Sequence, residues 1–162
     1  MPKITPNLWF DGNAEEAANF YVSLLPDSRV ETVSRSPADN PSTPAGAVLL
    51  VDFTLAGQRF TGLNGGPQFP FSEAVSFVID CEDQAEVDRL WDALTEGGGS
   101  AGQCGWLKDR YGLSWQVIPR QLGEMLGDPD QARAGRAMEA MLRMTKIDIA
   151  EMRRAFEGEP VR

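Results

Sequence analysis

Hydrophobic spacing along the chain switches from strand-like to helix-like, and the same switch occurs a second time. Near the start, the run Ile4-Thr5-Pro6-Asn7-Leu8-Trp9-Phe10 passes through Asp11-Gly12-Asn13 into Ala14-Glu15-Glu16-Ala17-Ala18-Asn19-Phe20-Tyr21. About seventy residues on, Ala74-Val75-Ser76-Phe77-Val78-Ile79 passes through Asp80-Cys81-Glu82-Asp83 into Gln84-Ala85-Glu86-Val87-Asp88-Arg89-Leu90-Trp91. Sliding one copy onto the other sets Asn13 on Asp83, Ala17 on Val87, Phe20 on Leu90, Tyr21 on Trp91 and Leu24 on Leu94. Each copy predicts a strand, an acidic helix start, an amphipathic helix and then further strands.

In the first copy the pattern predicts a strand over Lys3 to Phe10, then a helix capped by Asn13 and ended by Pro26. Glu15 and Glu16 suit the positive end of that helix. Arg29 to Ser34 reads as a strand, and Ala47 to Leu55 with Arg59 to Leu63 as a hairpin about Ala56-Gly57-Gln58. The second copy gives a strand to Ile79, a helix from Asp83 to about Glu96, and a hairpin of Ala101 to Leu107 with Leu113 to Ile118. Beyond Pro119 only helical spacing remains: one helix from the Asp128-Pro129 start to about Arg143, and a last one capped by Asp148. The fold class expected is α+β: two βαβββ modules over residues 1–66 and 67–119, and a helical tail over 120–162.

Charge and composition narrow the function. The net charge is −9, and residues 1–119 carry sixteen acids against seven bases while 120–162 carry eight of each. An acidic doubled module argues against a nucleic-acid partner, which needs a basic face. It weakly favours a cationic ligand, although acidic surfaces commonly serve solubility. No apolar stretch approaches the ~20 residues of a membrane span, and Met1-Pro2-Lys3-Ile4 lacks the pattern of a secretory signal, so a cytoplasmic protein is expected. The chain contains no histidine, which removes Ser–His–Asp and Cys–His catalysis and histidine-based metal sites. Cys81 and Cys104 are its two cysteines and read as reduced thiols. Gly65-Gly66-Pro67 and Gly97-Gly98-Gly99 read as a linker and a helix end, since neither has phosphate-loop spacing.

Several motifs resemble one family when taken in order. They are Asn64-Gly65-Gly66-Pro67-Gln68-Phe69, Ser76-Phe77, Asp83-Gln84-Ala85-Glu86, Cys104-Gly105-Trp106-Leu107-Lys108-Asp109, Tyr111-Gly112-Leu113-Ser114-Trp115-Gln116 and Met144-Thr145-Lys146-Ile147-Asp148-Ile149. The chain resembles the 3-demethylubiquinone-9 3-methyltransferase-like (PhnB-like) branch of the glyoxalase/bleomycin-resistance, or vicinal oxygen chelate, superfamily. The resemblance implies paired βαβββ modules whose eight strands curl into a cup-shaped mixed sheet, assembled as a homodimer. It leaves activity open, because such folds host metal-dependent lyases, isomerases, epimerases and dioxygenases beside metal-free binding proteins.

Metal-dependent relatives hold one divalent ion with side chains on four strands. Carried over by motif, those positions fall on Pro6, near Thr61, on Ala74 or Ser76, and on Gln116. None is His, Asp, Glu or Cys, and a transition ion needs three or four good donors. The expectation is therefore no metal and no cofactor. Leu8, Thr61, Ser76, Trp106, Ser114 and Gln116 are the expected ligand-binding residues, holding a small, apolar molecule that is cationic or aromatic. Strand alternation sets Ser114 and Ile118 inside beside Gln116 and sends Trp115 outward against a helix. Cys104, expected on a strand with Lys108 and Arg110 near it in sequence, is a weak catalytic candidate beside its reading as packing. Met125, Met138, Met141, Met144 and Met152 make the tail helices apolar, for core packing, a dimer contact or a ligand lid. The leading expectation is a metal-free small-molecule-binding protein. The alternatives are a divalent-metal-dependent lyase, isomerase or dioxygenase and, on the family label alone, a methyltransferase.

Overall fold

A computed structural model describes residues 2–159. The chain divides between Phe71 and Ser72 into two compact units, and the helical tail belongs to the second.

The first unit holds β1 (Asn7–Phe10), α1 (Ala14–Val22), β2 (Arg29–Arg35), β3 (Val48–Leu55) and β4 (Gln58–Asn64). Its sheet runs β1-β4-β3-β2, with β1 parallel to β4 and the other pairs antiparallel. Helix α1 buries Tyr21 together with Ala14, Ala17 and Ala18, small residues that let its backbone come close to the sheet. Gly62 answers them, since a Cβ there would lie 3.2 Å from the Ala14 methyl and 3.4 Å from the Phe10 ring. Phe53 stacks on Phe60 at 5.5 Å beneath Tyr21, which completes an aromatic core.

The helix start differs from expectation. Asn13 precedes α1 but its side chain caps nothing. Instead the buried Asn64 accepts from the Ala14 N–H through Oδ1 at 2.9 Å and donates through Nδ2 to the Val48 carbonyl at 3.0 Å. The end of the last strand thus supplies the cap and fixes the helix to the sheet. The expected strand from Lys3 also shortens to four residues, its register with β4 starting at the Asn7–Thr61 pair.

The second unit repeats this plan with β5 (Ser76–Cys81), α2 (Gln84–Thr95), β6 (Ser100–Ala101), β7 (Trp106–Lys108) and β8 (Ser114–Pro119), ordered β5-β8-β7-β6. Again the first and last strands of the module pair in parallel. Asp83 caps α2 as expected, accepting from the Glu86 N–H at 2.9 Å. Val87, Leu90, Trp91 and Leu94 form the buried face of α2. The strand expected over Ala101 to Leu107 breaks, because Cys104 and Gly105 take positive φ values of 57° and 84° in a turn between β6 and β7.

Three helices follow: α3 (Arg120–Leu126), α4 (Gln131–Met141) and α5 (Ile149–Glu157). The cap of α4 is Asp130 rather than Asp128, whose carboxylate instead accepts from the Asp130 N–H at 2.8 Å. Asp148 caps α5 as expected. Leu122, Met125, Ala137, Met144, Ile147, Met152 and Phe156 form a satellite core among these helices. The segment before α5 is pinned to its module by its main chain. Met144 and Thr145 accept from the Cys104 and Gly105 N–H groups at 2.9 and 2.7 Å. Gln84 donates to the Ile147 carbonyl at 2.9 Å and accepts from the Ile149 N–H at 2.8 Å. Lys146 pairs with Asp88 at 2.9 Å, which raises the lysine pKa and lowers that of the carboxylate.

Gly65 reads as linker in the sequence, but the structure gives it a packing role. The Trp9 ring lies over it, with Nε1 donating to the Gly66 carbonyl at 2.8 Å and Phe69 edge-on at 4.9 Å. A Cβ on Gly65 would sit 2.4 to 2.6 Å from the indole. Replacing Gly65 with Ala should therefore destabilise the protein by about 1–3 kcal/mol in urea unfolding, while Gly123→Ala, which meets open space, should cost nothing.

Candidate functional site

Alternation along each strand decides which side chains sit under the helix and which face away from it. In the first unit the face away from α1 carries three cross-strand rows. They are Arg29–Thr54–Arg59, then Thr32–Asp52–Thr61–Asn7, then Ser34–Leu50–Leu63–Trp9. Thr61, an expected ligand-binding position, donates to Asp52 Oδ1 at 2.7 Å, and Thr32 donates to Oδ2 at 2.8 Å. Pro6 contributes only its carbonyl, which accepts from the Thr61 N–H at 2.9 Å. Leu8 is a correction: it shares the side of Phe10, is 6% exposed and packs in the core. Trp9 takes the place expected for it.

In the second unit the face away from α2 brings together four of the expected residues. The rows are Ser76–Ser114–Lys108–Ser100 and Val78–Gln116–Trp106. Gln116 Nε2 donates to Ser76 Oγ at 3.0 Å, which fixes the amide across two strands. Trp106 is half-buried beside Gln116, and Val78 is 59% exposed on its other side. Ser114 points the same way but is 1% exposed, with its hydroxyl unpartnered among the described residues, so it lies beneath this face and not on its surface. Ala74 is exposed outside the strand. Trp115 faces α2, as expected, and donates through Nε1 to Asp109 Oδ2 at 2.9 Å. Lys108 is held by Glu73, whose carboxyl the ammonium keeps below its usual range.

The donor chemistry does not fit a divalent ion. The positions carried over from metal-dependent relatives offer two hydroxyls, an amide and a backbone carbonyl. The nearest carboxylate to Thr61, Asp52, already accepts a threonine hydroxyl on each oxygen. Among the described residues no three His, Cys, Asp or Glu side chains gather into a metal-holding group.

Both cysteines sit away from these rows. Cys81 is fully buried, and burial together with the carboxylates of Glu86 and Asp80 pushes its thiol up to about 12. Cys104 is partly exposed, on the turn and not on a strand. Neither cation near it in sequence is available to it: Lys108 holds Glu73, and the Arg110 guanidinium lies against Gly97.

The residues missed in the sequence are Asp52, Glu31, Arg29 and Arg59. Their signal was present as polar residues at period two within otherwise apolar strands: Arg29 and Glu31, Asp52 and Thr54, Arg59 and Thr61.

Residues 2–118 match the model of the 3-demethylubiquinone-9 3-methyltransferase family. The chain belongs to this family. A Bacillus cereus PhnB protein carrying that methyltransferase name is 35% identical, with a TM-score of 0.66, over 73% of this chain and 99% of its own. A Pseudomonas aeruginosa protein is 25% identical, with a TM-score of 0.54, over 74% of this chain and 98% of its own. The trypanothione-dependent glyoxalase I of Leishmania major is 14% identical, with a TM-score of 0.50, over 83% of this chain and 98% of its own, a likeness of fold. No curated protein sequence matches it significantly. The family match ends at residue 118, so α3 to α5 lie beyond it. Among the described residues no helix is long and apolar enough to cross a membrane.

The two thiols should separate cleanly. With Cys81 near 12, only about one part in ten thousand is thiolate at pH 8. Ellman's reagent should titrate about one thiol per native chain, Cys104, and the second only after unfolding. Two thiols reacting at equal rates in the native protein would contradict this placement.

Proposed function

We propose that this protein binds a small organic molecule without a metal ion, on the face of the second unit's sheet away from α2. The observation that carries this reading is the Gln116 amide, held by Ser76 between an exposed Val78 and a half-buried Trp106. Such a patch combines an aromatic wall, an apolar floor and one fixed amide, the usual composition of a small-ligand site. With Nε2 committed to Ser76, the Gln116 carbonyl oxygen is the acceptor left for a ligand N–H or O–H. An aromatic or apolar molecule carrying one donor suits this arrangement. The donor set described above supports a metal-independent mode. The methyltransferase in the family's name gains no support from this chain, which has no glycine-rich motif of the usual nucleotide-binding kind.

The test is a tryptophan-fluorescence screen of small aromatic amines and phenols in the presence of EDTA. A hit should quench saturably, lose its quench in Trp106→Phe, and bind about tenfold more weakly to Gln116→Leu, as loss of one hydrogen bond predicts. Binding or turnover that appears only when Mn, Fe, Co, Ni or Zn is added would overturn this reading in favour of the metal-dependent enzyme.

A further inference from the structure

The first unit carries a second, chemically different depression. It is an open groove of about 470 Å3 lined by Pro2, Asp27, Arg29, Glu31, Thr54, Gly57, Gln58 and Arg59. Its rim is the β3–β4 turn, where Ala56 and Gly57 take φ values of 47° and 84°. That turn is tied to the chain before β2. The Gly57 N–H donates to the Asp27 carbonyl at 3.2 Å, and the Ala56 N–H donates to Ser28 Oγ at 2.9 Å. The groove wall is therefore a fixed hairpin end.

Its charges are paired unequally. Glu31 Oε1 accepts from Thr54 Oγ1 at 2.7 Å and from Arg29 Nε at 3.0 Å. Those contacts and the nearby Arg59 charge, with the Thr54 hydroxyl foremost, hold the Glu31 carboxyl below its usual range, so it stays ionised. Among the described residues its other oxygen, Oε2, has no hydrogen-bond or ion-pair partner. The Glu31 side chain is 21% exposed and within a ligand's reach. Across the sheet, Arg59 pairs in register with Thr54, and its guanidinium makes no ion pair among the described residues. Arg29 is already shared between Glu31 and Asp27. The groove thus offers one free carboxylate oxygen and one free guanidinium, a strand apart, beside the Gln58 amide.

We propose that this groove binds the zwitterionic end of a free α-amino acid, its carboxylate on the Arg59 guanidinium and its ammonium on Glu31 Oε2. A guanidinium and a carboxylate form paired charge-assisted hydrogen bonds of matched geometry, and an ammonium completes the vacant side of a carboxylate already held in place. A single anion would leave Glu31 facing it, and a single cation would face Arg59. Only a ligand with both charges meets each group with its opposite. The groove is open to water, so the affinity expected is modest, on the order of 0.1–1 mM. This proposal does not rest on the Gln116 patch, and the two stand or fall independently.

The experiment follows backbone amides of the full-length 15N-labelled protein during titration with glycine and L-glutamine. The half-probes glutaramate, which lacks the ammonium, and 4-aminobutanamide, which lacks the carboxylate, serve as comparisons. Amides of Thr54, Gly57, Gln58 and Arg59 should shift saturably with both amino acids, and each half-probe should bind tenfold or more weakly. Arg59→Met and the isosteric Glu31→Gln should each weaken glutamine binding tenfold or more, with the remaining amide spectrum and the melting temperature unchanged. No saturable shift with either amino acid up to about 20 mM would overturn the proposal. So would glutaramate or 4-aminobutanamide binding as tightly as glutamine, or Glu31→Gln binding as the unaltered protein does.

Discussion

The parallel pairing of the first and last strand within each module is the constraint from which the rest follows. β1 joins β4 in the first unit and β5 joins β8 in the second, so each chain segment between them must cross over. The crossover places one helix against one face of each four-stranded sheet. Alternate residues then divide without ambiguity: Phe53, Phe60, Trp115 and Val117 go under a helix, while Asp52, Thr61, Val78 and Gln116 face away from it. Shifting any strand by one residue would exchange these sets, burying charge and exposing aromatics. The candidate sites are a consequence of that register, since their side chains all lie on the faces the helices leave uncovered.

The motifs that make the family recognisable are mostly structural. Asp109 is buried and accepts from the N–H groups of Tyr111 and Leu113 and from the Trp115 indole, which holds the β7–β8 turn in shape. Gly105 leaves no room for a Cβ, which would stand 2.9 Å from Ile118 and 3.1 Å from Ile147. Beyond the family match, the Met144 to Ile149 segment lends its carbonyls to the Cys104–Gly105 turn between β6 and β7 and to Gln84. A buried carboxylate with three donors costs far more to replace than an exposed one. Such residues hold the frame, and the groups able to meet a ligand sit among less distinctive neighbours.

The repeat, both helices of the modules and seven of the eight strands were legible because hydrophobic period is a local signal. Failures came where partners are distant in sequence. Asn13 sits where a cap belongs, yet Asn64, fifty residues away, makes the bond. Asp128 and Asp130 are equivalent as letters, and only the geometry of α4 chooses between them. The turn at Cys104 hides inside an apolar run because its hydrogen bonds go to the tail. Within the site, Thr61, Ser76, Trp106 and Gln116 lie on the faces expected for them. Leu8 was placed one residue out of phase with Trp9, and the burial of Ser114 depends on packing that no pattern records. The polar residues of β2 to β4 were passed over because the strands were read for their apolar members.

Metal independence is the claim on which the functional account turns, and it rests on what the side chains can donate. Two hydroxyls, an amide and a carboxylate already satisfied by two threonines are poor ligands for a transition ion. The most direct measurement is metal content by elemental mass spectrometry on untagged protein, expressed with Mn, Fe, Co, Ni and Zn each supplied and then dialysed. The account predicts far less than one ion per chain under every supply. Retention of about one ion per chain, for any of these metals, would contradict it.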